Sequence, residues 1–101
     1  MKSYEELLEK AKEWREWYYD GDPGTPEVAK STEEAFDLIN ATLFGHIYQR
    51  PKLDPKIRSL CTIAALIVLD KPNQLPGHIT GALNYGWSKD EIVELITQML
   101  F

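Results

Sequence analysis

The sequence is poor in the residues that most often carry metal or redox chemistry: one cysteine, Cys61, and two histidines, His46 and His78, among 101 residues. A lone cysteine excludes an intrachain disulfide, and with two histidines it leaves too few ligands for a Cys/His zinc cluster. Long apolar runs are missing as well. The longest, Leu60 to Leu69, falls well short of the ~18 residues that a membrane-spanning helix needs. Met1-Lys2-Ser3-Tyr4-Glu5-Glu6 has no apolar stretch of a secretory signal, so a cytoplasmic chain with no membrane partner is expected. The sequence also lacks a glycine-rich phosphate loop, a His-Glu-x-x-His, a nucleophile elbow and a Cys-x-x-Cys.

What is present reads as one domain over residues 1–101. With 44% apolar and 27% charged side chains, the composition is that of an ordinary soluble globular chain. A chain this short buries only about 60–65% of its unfolded surface, so a partner chain would add to a thin core. The net charge of −5 is unevenly spread. Residues 1–40 hold eleven acids against five bases, and residues 41–101 hold five acids against six bases. Six bases scattered over the second part form no stripe that could follow phosphates, so nucleic acid is not an expected partner. An anionic small molecule would be held in that second part.

Apolar spacing predicts helices throughout. The first runs from Tyr4 to about Tyr19 on Leu7, Leu8, Ala11, Trp14, Trp17 and Tyr18, and stops at Asp20-Gly21-Asp22-Pro23-Gly24-Thr25-Pro26. A second starts near Ser31 or Thr32, with Ser31 and Glu34 as a capping box. It presents Ala35, Phe36, Ile39, Leu43 and Ile47 to the core and ends at Arg50-Pro51. Asp54 and Pro55 open a third, which is apolar nearly all round from Ile57 to Leu69 and is therefore expected in the middle of the fold. A fourth spans about Asn73 to Tyr85, with Leu75, Ile79, Ala82 and Leu83 on one face and Gly86 as its left-handed cap. Ser88-Lys89-Asp90-Glu91 caps a fifth, carried on by Ile92, Leu95, Ile96, Met99 and Leu100. The fold class is all-α, with acidic helices in 1–49 and a core segment in 50–101.

Four polar residues in apolar surroundings are candidates for chemistry, each with a structural alternative. Arg58, one turn into the third helix, must find an anion: either a carboxylate of the acidic helices or, bidentately, a substrate carboxylate. His78 lies beside the apolar stripe of the fourth helix, either as a proton donor or acceptor or as a satisfied histidine at the helix start. His46 reads best as a partly exposed helix residue. Cys61 reads as a buried thiol acting as a small hydrophobe.

The stretch Arg50-Pro51-x-Leu53-Asp54-x-Lys56-x-Arg58-Ser59-Leu60, then Thr62-Ile63-Ala64-Ala65-Leu66, Gln74-Leu75-x-x-His78-Ile79-x-Gly81-Ala82-Leu83-Asn84-x-Gly86, Glu91-Ile92-x-Glu94 and Gln98 closely resembles the carboxymuconolactone decarboxylase family. Upstream, Gly45-x-Ile47-Tyr48-x-Arg50-Pro51 is similar to that family's Gly-x-Ile-Trp-x-Arg-Pro, with Tyr for Trp. The resemblance implies an alkylhydroperoxidase D-like helical bundle of about five helices, assembled as trimers or hexamers with sites near subunit contacts. The family's chains continue past the position of Phe101 with a Tyr-x-Gly-x-Pro turn and a last helix. Here either the chain is a piece of a longer one, or a neighbouring subunit covers the Leu95-Met99-Leu100 face.

The resemblance also separates two chemistries. The peroxidase branch carries Glu, eleven residues, Cys-x-x-Cys, three residues and His. Anchored on His78, those positions fall on Ser59, Lys71 and Gln74, so both thiols and the acid are missing. The decarboxylase branch implies loss of CO2 from a small anionic lactone such as 4-carboxymuconolactone, in aromatic degradation. No cofactor is implied, because the electron pair can delocalise onto the lactone carbonyl oxygen. The residues this implies are His78 as general acid, Arg58 as carboxylate or oxyanion binder, and Tyr48 and Trp87 beside the substrate. A non-catalytic helical oligomerisation or binding module on the same scaffold is the rival reading, and peroxidase activity a weaker one.

Overall fold

A computed structural model describes residues 2–21 and 33–101. Within them the chain forms five α-helices, α1 (Tyr4–Tyr18), α2 (Glu33–Leu43), α3 (Pro55–Val68), α4 (Leu75–Asn84) and α5 (Lys89–Met99), with a 3₁₀ turn at Ile47–Gln49 between α2 and α3. No strand occurs among the described residues, as the helical periodicities require. Ser31 of the predicted Ser31–Glu34 capping box and the Asp22–Pro26 part of the first loop lie outside the described residues.

The caps form where the sequence places them. Ser3 Oγ accepts from the Glu6 N–H at 3.2 Å to start α1, and Asp54 Oδ1 accepts from the Lys56 N–H at 2.9 Å to start α3. At α5 the box is reciprocal: the Glu91 N–H donates to Ser88 Oγ at 3.0 Å and the Ser88 N–H to Glu91 Oε1 at 2.9 Å. Three helices end in the same way, with one residue in the left-handed region: Asp20 (φ 57°) after α1, Asp70 (φ 55°) after α3 and Gly86 (φ 97°) after α4. In each the next N–H reaches back to a carbonyl five residues earlier: Gly21 to Glu16 at 2.7 Å, Lys71 to Leu66 at 3.0 Å and Trp87 to Ala82 at 3.2 Å.

The helices pack in the order α2, α1, α4, α3, α5, each against the next. Both α3 and α4 therefore lie between two helices, and α3 also packs against the 3₁₀ turn, as expected for the most continuously apolar stretch. The α3 helix buries Ser59, Ile63 and Leu66, while its outer side leaves Cys61, Val68 and Leu69 exposed, the last two at 69% and 64%. Cys61 is thus an exposed thiol and not a buried one. The α3 helix meets α4, α5 and the 3₁₀ turn, and only the residues on its remaining side stay outside. On α4 the small Gly77 and Gly81 let the rings at the end of α1 approach closely.

The α2 helix also differs from expectation, in both rotation and length. It turns Asn40 and Ala41, followed by Phe44, to the core, and leaves Ala35, Leu38 and Ile39 exposed. It ends at Leu43, and the 3₁₀ turn replaces the predicted last turns. Gly45 explains both differences, because a Cβ there would overlap the Leu7 carbonyl oxygen of α1. That backbone contact sets which face of α2 meets α1, and apolar side chains one residue out of phase are left outside. Likewise Leu83 of α4 and Trp17 of α1 are exposed, at 45% and 47%.

Two apolar clusters result. One joins Ala11, Phe44 and Tyr48, with Trp14, Tyr19 and Leu43 against them. The other joins Ile63, Ala82 and Ile92, flanked by Leu60, Ile67, Leu75, Ile79, Trp87, Leu95 and Ile96. No helix among the described residues is long and apolar enough to cross a membrane.

Candidate active site

The face of α4 that meets α1 carries Gly77, His78 and Gly81. Two of them leave room for rings: a Cβ on Gly81 would fall inside the ring of Tyr18, and one on Gly77 would lie 2.7 Å from Tyr19 Cε1. The two tyrosines close around the imidazole between the glycines. Tyr18, fully buried, places its hydroxyl 3.0 Å from His78 Nδ1 and 3.4 Å from the His78 carbonyl oxygen. Tyr19, half-buried, places its hydroxyl 3.4 Å from His78 Nε2. Phe44 stacks on the imidazole with ring centroids 6.3 Å apart.

The end of α1 is pinned where these tyrosines sit. Asn84 Nδ2 donates to the carbonyls of Trp17 and Tyr18 and to Asp20 Oδ1, at 2.9, 3.1 and 2.9 Å. One amide from the last turn of α4 thereby satisfies orphan carbonyls of α1 and fixes the left-handed Asp20.

Burial governs the electrostatics. It lowers the His78 pKa from 6.5 to about 4, so the imidazole is neutral at pH 7. It also pushes the hydroxyls of Tyr18, Tyr19, Tyr48 and Tyr85 up, Tyr19 to about 12, so all four stay protonated. An unfolded chain takes up the His78 proton as the pH falls through about 6.5, whereas the folded chain resists until about 4. The contribution to stability is complete above pH 6.5 and is lost as the pH falls towards 4, by about 3 kcal/mol. Urea unfolding of wild type and His78→Asn at pH 7 and pH 4.5 measures it. The difference between the two proteins should shrink in acid, and a constant difference would show that His78 is not held neutral.

The other sequence-predicted residues lie elsewhere. Arg58 meets no carboxylate among the described residues. Its Nε donates to the Leu53 carbonyl at 3.1 Å and its Nη2 to the Arg50 carbonyl at 3.4 Å, so it clasps the connection before α3. Tyr48 is buried; its hydroxyl lies 2.6 Å from Thr62 Oγ1, which itself donates to the Arg58 carbonyl at 3.1 Å. Since the threonine has one proton to give, Tyr48 is the donor in the first contact. The Tyr48 ring packs edge-on against Tyr18 at 6.2 Å, which completes an indirect path from Arg58 to His78. Trp87 donates from Nε1 to the Lys56 carbonyl at 2.8 Å, under the Lys56 ammonium at 4.3 Å from its ring, and so ties the start of α5 to α3. His46 immediately precedes the 3₁₀ turn and is half-buried.

A cleft of about 350 Å³ between α1 and α2 is lined by Glu5, Glu9, Lys12, Arg15, Asp37 and Asn40 among others. A second, of about 370 Å³, includes Leu60, Trp87, Glu91 and Leu95. Neither joins Arg58 to His78. No group of three or more His, Cys, Asp or Glu side chains is placed to hold a metal ion among the described residues.

Sequence reasoning identified His78 but not its partners. Tyr18 and Tyr19 stand some sixty residues away, and hydroxyl contacts at that separation have no local pattern. The available signal was Gly81, since a glycine inside a helix costs about 1 kcal/mol against alanine and so points to a close approach.

The chain is similar to known proteins. A 4-carboxymuconolactone decarboxylase of Acinetobacter baylyi is 38% identical over 80 residues, 72% of this chain and 60% of that protein. A nitrosuccinic acid decarboxylase of Metarhizium robertsii is 37% identical over 65 residues, 64% of this chain and 46% of that protein. The chain thus spans about half the length of these curated relatives. Residues 33–101, which include His78, its flanking glycines and Arg58, match the carboxymuconolactone decarboxylase family, and the chain belongs to that family.

Proposed function

We propose that the protein is a decarboxylase of a small carboxylated organic anion, a lactone or keto acid, that uses acid-base chemistry at His78 without a cofactor. The observation that carries this reading is a buried imidazole, neutral at pH 7, with one nitrogen held by a fully buried hydroxyl and the other by a half-buried one. Both relatives are named as decarboxylases of small acids, one a lactone and one a nitro compound. Each named substrate carries an electron-withdrawing group able to receive the electron pair released with CO2.

In the proposed reaction the bond from carbon to carboxylate breaks, CO2 departs, and the electron pair delocalises onto the substrate's acceptor oxygen. His78, which takes up a solvent proton when the anionic substrate binds, gives that proton to the carbon and returns to the neutral imidazole. Burial alone opposes a charged His78, but an anion bound beside it favours the imidazolium, so the substrate itself raises the pKa of its acid. Arg58 is proposed as the cation that meets the substrate carboxylate or its oxyanion, with donors to spare beyond its two carbonyl contacts. Tyr48 and Trp87 are proposed to border the substrate.

Assembly into trimers or hexamers is part of the proposal and is supported by the apolar surface of α2 and α3, where Leu38, Ile39, Val68 and Leu69 are exposed. The same surface favours the rival reading of a non-catalytic oligomerisation module. Ultraviolet monitoring of 4-carboxymuconolactone and related keto acids with the purified protein separates the two. Turnover is the expected result, and a well-folded oligomer that turns over none of them would favour the module.

A further inference from the structure

Three contacts meet at His78, and they do not fit both forms of a neutral imidazole equally. If the proton is on Nε2, Tyr18 donates to Nδ1 and Nε2 donates to Tyr19, which uses two of the three. The 3.4 Å approach of the Tyr18 hydroxyl to the His78 carbonyl then lacks a proton. If the proton is on Nδ1, all three are hydrogen bonds at once. Nδ1–H donates to the Tyr18 oxygen at 3.0 Å, the Tyr18 O–H donates to the His78 carbonyl at 3.4 Å, and the Tyr19 O–H donates to Nε2 at 3.4 Å. In the first form the Tyr18 hydroxyl donates once and accepts nothing, whereas in the second it both donates and accepts, which favours the second for a hydroxyl that is completely buried.

From this geometry we infer that Tyr18 is a positioning residue that holds His78 in the Nδ1–H form and leaves Nε2 as the nitrogen that takes up and delivers the proton. The Nδ1–H bond to Tyr18 is the same in the neutral and the protonated imidazole, so the ring need not turn during a cycle. A carboxylate in that place would also neutralise an imidazolium. A phenol does not, which agrees with an imidazole that stays uncharged until an anion arrives. Nε2 is correspondingly the less tightly held nitrogen, since its partner Tyr19 is half-buried and at the long limit of a hydrogen bond. The assignment of Nδ1 rests on the contacts alone, whereas the statement that Nε2 works on substrate rests on the decarboxylase reading above.

The test is ¹⁵N NMR of histidine-labelled protein at pH 7, with a His46→Gln variant to assign the two rings. In wild type, Nδ1 of His78 should have the shift of a protonated ring nitrogen and Nε2 that of an unprotonated one. Tyr18→Phe should lose this preference and show a mixture or the opposite form, while Tyr19→Phe should keep it. A wild-type His78 protonated on Nε2, or a folded Tyr18→Phe protein with an unchanged Nδ1–H population, would overturn the inference. The wild-type spectrum decides even if Tyr18→Phe does not fold. Turnover separates the two readings: the expected spectrum in a protein without decarboxylase activity sinks the proposed function alone, and the opposite spectrum in an active protein sinks this inference alone.

Discussion

Turnover by a His78→Asn variant is expected to fall by about 10²–10⁴-fold, the usual consequence of losing a positioned acid or base. Asparagine is the informative replacement because its amide N–H can still donate to the Tyr18 hydroxyl where Nδ1 does now. It has nothing at the place of Nε2. Alanine would mix two further losses with the chemical one, since it would also leave a cavity and remove the side-chain partner of the Tyr18 oxygen, together costing on the order of a few kcal/mol. The kcat of the asparagine variant therefore reads chemistry, and its thermal unfolding should show a folded protein. An unchanged kcat would remove His78 from the mechanism.

Gly81→Ala separates two physical effects of opposite sign. On an open helix surface the change would stabilise by about 1 kcal/mol through helix propensity. Here the new methyl group would enter the ring of Tyr18, which is fully buried and has Trp14, Phe44, Tyr48, Tyr85 and His78 around it. With no empty side to move to, the ring must displace its neighbours. Overpacking of this kind costs about 1–3 kcal/mol, a large part of the 5–15 kcal/mol that holds a typical domain together. Denaturant midpoints should fall accordingly, and the variant should also lose turnover because Tyr18 no longer meets Nδ1. A midpoint that rises would mean that Tyr18 does not occupy the groove over Gly81.

Much of the fold was legible because it is written locally. Ser3, Asp54-Pro55 and the Ser88–Glu91 box start helices through contacts two or three residues long, and Gly86 ends one by its own backbone freedom. The errors arose where a long-range contact outweighed a local sum. The face of α2 was predicted from its apolar side chains, but Gly45 against Leu7 sets the rotation and Ile39 is left in solvent. The apolar run of α3 did indicate a helix with neighbours on two sides, but which residues stay outside, Cys61 and Val68 among them, depends on where α4 and α5 meet it. In the site, His78 could be singled out by its position on an apolar face. Its hydroxyl partners, the neutral state that burial imposes on it and the carbonyl clasp of Arg58 all depend on which helices meet.

The origin of the two hydroxyls has a consequence for how such a site can diversify. The segment that matches the family, 33–101, supplies the imidazole and the glycines beside it, while Tyr18 and Tyr19 come from α1, outside that segment. The proton location of the histidine thus depends on a different stretch of chain from the histidine itself. Substitutions at the C-terminal end of α1 could tune the acidity of a retained imidazole, as exchanging one electrode partner retunes a cell, with α4 left unaltered.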